Sequence, residues 1–291
     1  MNLGPAKSWI KYGGELSENP LWEPETQSLF WTDIPLGHLY RHDWNTGTTE
    51  RIYEGPIVGG FTRQTDGSLL LFRVNDIAVF TPGAPAKSEA RSIVPFHHDG
   101  STRFNDVIAA PGGRVFAGTM GKTKGSGGLF RVETDGRIEQ VASGTGIANG
   151  LGFSPSLDTL YWTCSTRRCI FAFPYRCDTG ALGEPKVLFQ GDETDGYPDG
   201  MTVDAEGNLY SIRWTAQEYG LVVFNPDGKV IHRQKLPPRA SSSICFCGPT
   251  LTDAAITSAA DESDPDREAD LYKMEGMPIG GRVEFRSSVG L

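Results

Sequence analysis

Six residues recur along this chain at nearly even spacing, and their types decide what chemistry they can do. Glu18, Gly59, Asn105, Asn149, Asp199 and Ser243 follow one another at intervals of 41, 46, 44, 50 and 44 residues. Each stands at the head of a short apolar stretch. Glu18, Asn149 and Asp199 offer oxygen ligands. Brought to one place, the two carboxylates would raise each other's pKa. A cation between them removes that conflict. Such a donor set suits a hard divalent ion such as Ca, Mg or Mn, and Zn or Fe(II) also fit where water completes the shell. A second reading makes these positions turn formers chosen for backbone reasons. It covers Gly59 and Ser243 well and Glu18 poorly, because Glu is not a turn former.

The elements that must position these residues are strands. "YPDGMTVDAEGNLYSIR" starts at Tyr197, and it aligns with "RFNDVIAAPGGRVFAGT", "ANGLGFSPSLDTLYWT", "VGGFTRQTDGSLLLFR", "SENPLWEPETQSLFWTD" and "SSICFCGPTLTDAAITS". Each copy has a special residue, a short apolar strand, a tight turn and a second apolar strand. Third strands such as "HLYRHD", "GLFRVE" and "GLVVFN" follow, and turn-bounded fourth strands follow many of these. Alternating apolar runs bounded by Gly, Pro, Asn and Asp are the hairpin signature. An average period of about 45 residues with strand-like content points to propeller blades. The expectation is an all-β, six-bladed β-propeller, one domain over residues 1–291, with about four antiparallel strands per blade. The N-terminal "SWIKYG" is placed to close the ring with the last blade. In such a ring the six special positions converge at one mouth of the central channel.

Composition narrows the partners. The chain has 291 residues, 36 glycines, 19 prolines and a net charge of −9. An acidic surface argues against nucleic acid, which needs a basic face. No apolar run approaches the roughly 18 residues of a membrane span. The N-terminus lacks the apolar core of a secretory signal, so the expected location is cytoplasmic. Five cysteines, Cys164, Cys169, Cys177, Cys245 and Cys247, are an odd set that reads as reduced, buried thiols. The acidic run from 260 to 270 lacks the Gly of a calcium-binding EF-hand loop and reads as a solvated loop. A closed propeller has few free edges, so the expected state is a monomer.

The motifs "SENPLW", "RFNDV", "VFAGTM", "ANGLGFS", "YPDGM", "DAEGNLY" and the late "IGG" resemble the SMP-30/gluconolactonase (regucalcin-like) family in order and spacing. The resemblance implies a six-bladed propeller with one divalent metal in the channel, hydrolysing sugar lactones to sugar acids. It implies Glu18, Asn149 and Asp199 as metal ligands, and Arg103 and Asn105 as substrate-holding residues. Two departures bear on the substrate. The acidic residues that regucalcin-type members carry after "AGTM" are replaced by "GKTKGSGG", with Lys122 and Lys124. The usual "FGG" of the sixth blade is "FCG", with Cys247.

The mechanism expected from this pattern has Asp199 as ligand and general base, with Arg103 and Asn105 favouring the developing oxyanion. Asp106 reads as capping the local turn. The second strand of each blade should return to the mouth, ending near Asp33, Arg73, Thr119, Ser165, Arg213 and Ser258. Arg73, Arg213 and Lys122 could then hold an anionic lactone; alternatively, these cations neutralise Asp33 and the acidic loops. Trp214 and Tyr219 stack on a sugar ring or plug the gap between blades. Competing readings are a metal- or metabolite-binding protein without turnover, and a propeller enzyme acting on another ester or in a biosynthetic rearrangement.

Overall fold

Turn residues cut the chain into strands of two to nine residues. These come from a computed structural model that describes residues 1, 3–83, 89–214, 220–237, 240–260 and 269–291. No helix occurs among the described residues, so none is long and apolar enough to cross a membrane. The strands form six antiparallel sheets in sequence order, the blades of a six-bladed propeller. Blade 1 runs Ser17–Glu23, Ser28–Asp33, His38–Asp43 and Thr49–Glu54. The other inner strands are Val58–Arg63, Ser101–Ala109, Ala148–Phe153, Tyr197–Val203 and Ser241–Cys247. Each inner strand contacts the next around the ring, and that of blade 6 returns to that of blade 1.

Closure is by strand addition, as expected from "SWIKYG". Lys7–Gly14 pairs with Ala269–Met274 and completes blade 6 from the N-terminal side. Blade 4 carries one extra strand: Ala181–Leu182 and Lys186–Gln190 both pair with Cys169–Arg176.

The core is divided among the blade interfaces. Apolar side chains alternate along each strand and point at the neighbouring blades. Six clusters result among the described residues, one between each adjacent pair. Phe30 meets Phe61 between blades 1 and 2, and Phe72 meets Phe104 between blades 2 and 3. Phe116 and Trp162 lie between blades 3 and 4. Ile170 and Phe224 lie between blades 4 and 5, Tyr210 and Phe246 between 5 and 6, and Trp31 and Leu271 between 6 and 1. Each large side chain buried this way contributes about 1.5–3 kcal/mol.

The C-terminal segment crosses the face opposite the one where the inner strands begin. Its backbone and side chains bond in turn to Leu251 (blade 6), Ala205 (blade 5) and Ser154 (blade 4). After the channel axis it reaches Glu23 of blade 1 and Arg63 of blade 2, and then Gly113 of blade 3. It therefore straps all six blades. Gly281 has to be glycine in this path, since a Cβ there would lie 2.2 Å from the Phe246 ring. That accounts for the late "IGG".

Candidate active site

Every inner strand breaks register at its special position. The pairing with the second strand skips between Glu18 and Leu21, Val58 and Gly60, and Phe104 and Val107. It skips again between Asn149 and Leu151, Pro198 and Met201, and Ser241 and Ile244. A β-bulge re-aims the side chains within it. Glu18, Asn105, Asp106, Asn149 and Asp199 all lie in or at the edge of such breaks, and all are buried. Glycines let these strands close in. A Cβ on Gly59 would sit 2.0 Å from the Phe104 carbonyl oxygen, and one on Gly200 would sit 2.1 Å from Ser243 Oγ.

A chain of hydrogen bonds links blades 3, 4 and 5. Arg103 Nη1 donates to its neighbour's carbonyl, Phe104 O, at 2.9 Å and to Asn105 Oδ1. Asn105 Nδ2 donates to Ala148 O at 2.9 Å and to Asn149 Oδ1. Asn149 Nδ2 donates to Ser165 Oγ at 2.8 Å, and Ser165 Oγ donates to Pro198 O at 2.6 Å. Asp199 follows directly. The amide of Asn149 is thus held from both sides.

The carboxylates sit in each other's fields. Burial first, then the charges of Asp199 and Asp106, push Glu18 well above the usual carboxylate range; Arg103 opposes the shift. Asp199 is raised by burial and by Asp106, against Arg103, the Gly200 amide and the Asn149 side chain. Burial raises Asp106 to about 7, with Arg103 opposing. Glu18 Oε2 is buried with no hydrogen-bond partner among the described residues. Among the described residues no three His, Cys, Asp or Glu side chains form a metal-type cluster. The set here is two carboxylates and an amide. Even so, an orphaned carboxylate oxygen beside a second destabilised carboxylate fits a bound cation, and oxygen donors fit a hard divalent ion.

Above the cluster the mouth opens as a cavity of about 170 Å³, lined by Ile147, Asn149, Ser165, Thr166, Tyr197, Asp199 and Trp214. Trp214 is therefore at the site; Tyr219 and residues 261–268 of the acidic run lie outside the described residues.

The structure brings together Glu18, Arg103, Asn105, Asn149 and Asp199. Three other sequence candidates go elsewhere. Arg73 forms a two-pronged ion pair with Asp76. Arg213 is 1% exposed and faces the blade 4–5 interface, its guanidinium 5.2 and 5.3 Å from the Phe189 and Phe224 ring centres. None of its nitrogens has a hydrogen-bond partner among the described residues, and burial lowers its pKa to about 10. Lys122 is exposed in the turn after Val115–Gly121. Sequence reasoning missed Asp106 as part of the site, and it placed Ser165 at the mouth without a role. Asp106 shares the bulge of Asn105 and lines the channel rather than capping a turn. Cys247 is buried in the core between blades 6 and 1, while Cys177 is exposed, unlike the other four thiols.

Residues 16–260 match the SMP-30/gluconolactonase/LRE-like region. The chain belongs to the SMP-30/gluconolactonase family. It is 38% identical to Pentonolactonase XacC of Haloferax volcanii, over 95% of this chain and 96% of that protein. It is 28% identical to 6-deoxy-6-sulfogluconolactonase of Pseudomonas putida, over 95% and 94% of the two chains. The solved structure of a calcium-binding regucalcin from Agrobacterium tumefaciens superposes with a TM-score of 0.88 at 22% identity, covering 98% and 99%. The fold is thus shared with that structure over 98% of this chain.

Proposed function

We propose that the protein hydrolyses a sugar lactone to its open-chain acid at the channel mouth. The observation that carries this reading is the convergence of Glu18, Asn149 and Asp199 with Arg103 and Asn105, on bulges of four different blades, beneath a small cavity. The names of the Haloferax and Pseudomonas relatives support the lactone class.

Glu18, Asn149 and Asp199 are the residues that would hold a divalent cation. When bound, such an ion supplies carbonyl polarisation and a more acidic water. Asp199 lines the mouth cavity and accepts the proton of the attacking water; burial and the Asp106 charge raise its proton affinity. Arg103 is fixed by Asn105, so its charge is set beside the carbonyl oxygen that becomes negative in the transition state. Asn105 and Ser165 hold Asn149 in place. Tyr197 and Trp214 flank the cavity and offer faces to a sugar ring.

A neutral aldonolactone fits better than an anionic one. Of the three proposed cations, Arg73 is neutralised by Asp76 and Arg213 is enclosed between blades, leaving exposed Lys122. The test compares turnover of a pentonolactone, gluconolactone and a 6-sulfonated gluconolactone, with and without chelator. Chelator-sensitive turnover of the neutral lactones supports the reading. No turnover of any lactone by metal-loaded protein overturns it, and a preference for the sulfonate overturns its neutral-substrate part.

A further inference from the structure

Below the carboxylate cluster the channel continues as a narrow lumen. It is lined by all six inner strands, including Asn19, Thr62, Asp106, Leu151, Met201 and Ser243, and leaves about 40 Å³ for the centres of water-sized spheres. That is room for ordered water, which needs about 10–15 Å³ on this measure and polar partners. Asp106 and Ser243 supply polar partners at the upper end. The lower end is closed by Glu284 and Phe285 of the C-terminal strap. A second cavity begins on the far side of the same two residues and is lined by Arg282, Val283, Thr202 and Phe153. Glu284 is thus in the wall of both spaces, with the catalytic cluster on one side and the opposite mouth on the other.

A carboxylate is an expensive residue for such a place unless it is used or paired. Glu284 makes no hydrogen bond or ion pair among the described residues. The nearby cations are committed elsewhere: Arg282 donates to Ser154 O at 3.2 Å, and Arg286 pairs with Glu23 and Glu25. Across the lumen it faces Asp106, and on blade 6 the Cys245 thiol, whose pKa its charge helps to raise.

We propose that Glu284 is the exit station of a proton route that runs from Asp106 through lumen water to the face opposite the mouth cavity. This rests on the lactonase reading. In that reaction water adds to the acyl carbon as the ring C–O bond breaks. One water proton passes to Asp199 and on to the ring oxygen, which leaves as a hydroxyl; the other is released when the new carboxylic acid ionises. One proton per turnover must leave. While substrate or product covers Tyr197, Trp214 and Asp199, the lumen leads from the cluster toward the opposite face, where Glu284 also lines the second cavity. Burial raises Glu284 to about 7, so it gains and loses a proton near neutrality.

The experiment measures kcat and KM for a pentonolactone across about pH 5.5 to 9, following lactone loss by hydroxamate trapping, for the wild type, Glu284→Gln, Glu284→Asp and Ser243→Ala. The expected wild-type kcat rises through a one-proton limb near 7. Glu284→Gln loses that limb and runs about tenfold or more slower above it, within the range a positioned proton acceptor contributes, at unchanged KM. Glu284→Asp retains the limb. Ser243→Ala, which removes one hydroxyl from the lumen wall, lowers kcat at unchanged KM and decides the matter if Glu284→Gln does not fold. A folded Glu284→Gln enzyme with wild-type kcat and pH profile, or wild-type kcat in Ser243→Ala should Glu284→Gln not fold, overturns the route alone. A wild type that leaves lactones intact overturns the lactonase reading, and the route with it.

Discussion

In the proposed reaction Asp199 combines two roles that pull in the same direction: a donor to a cation and a base beside it. Replacing it by Asn keeps the size of the side chain and removes the charge. Asp199→Asn should lower kcat by about 10²–10⁴, the usual contribution of a positioned base, with the melting curve of a folded protein. Calorimetric titration with Ca, Mn and Zn should show weakened binding in the same variant. Full activity in Asp199→Asn would sink the mechanism. Ser165 touches neither the substrate carbonyl nor the proton in flight, but it fixes the Asn149 amide against Pro198. Ser165→Ala should therefore cost about 10–100-fold in metal affinity, as outer-shell partners typically do, and excess metal should restore kcat. Glu284 has a consequence for stability as well. Its folded-state pKa of about 7 lies above that of an exposed glutamate, about 4.3. The folded state therefore holds the proton more tightly than the unfolded state. The stability linked to that proton is fully present below about pH 4.3 and is lost as pH rises through about 7. Glu284→Gln should leave the melting temperature nearly unchanged near pH 4 and raise it near pH 8 by several degrees. A drop at both pH values would show that the carboxylate is instead a structural partner.

At the scale of strands and blades, the bulge explains both what could be read in advance and what could not. The period, the turns and the polar residue heading each inner strand were legible, because turn chemistry and apolar alternation are local signals. That these heads are bulges was not legible. A bulge is a property of pairing with the second strand, which depends on register. The same gap explains Asp106: two residues, Asn105 and Asp106, are released where Phe104 and Val107 resume pairing, so both face the channel. It also explains Arg73 and Arg213. Their place at the mouth end of a second strand was anticipated, but second strands carry no bulge there. Their side chains stand perpendicular to the sheet, toward neighbouring blades, and not along the channel axis. Arg213 shares its face with Leu209, which packs in the blade 4–5 core. A buried guanidinium without an acceptor is costly, offset in part by the two aromatic faces. Arg213→Met, of similar length and apolar, should keep KM for the lactone and hold or raise the melting temperature. A large rise in KM would return Arg213 to the substrate site.

At the scale of the molecule, two terminal segments turn six blades into a ring, and they act on different faces. The C-terminal strap bonds to every blade across the lower mouth, while Lys7–Gly14 completes blade 6. The N-terminal strand brings more than backbone pairing. Ile10 is buried between blades 6 and 1, Trp9 packs on Trp44, and Tyr12 packs on Trp31 and Tyr40. The fully buried Asp33 carboxylate takes hydrogen bonds from Tyr12 Oη at 3.1 Å and Glu15 N at 2.9 Å, so the strand also satisfies a charge in blade 1. Three such side chains at about 1.5–3 kcal/mol each, plus the lost Tyr12 hydrogen bond to Asp33, approach the total of about 5–15 kcal/mol that a folded chain has in hand. Deleting residues 1–14 should therefore open the ring and leave the edge of Ala269–Met274 unpaired, a template for intermolecular strand pairing. The expected outcome is a chain that elutes as oligomer or aggregate and shows no cooperative melt. A synthetic peptide of residues 1–14, added in excess during refolding, should restore a monomer-sized species and lactone turnover together, because the missing strand can add to the open edge in trans. A truncated chain that stays monomeric and melts at the wild-type temperature would mean that the strap and the six interblade cores close the ring unaided.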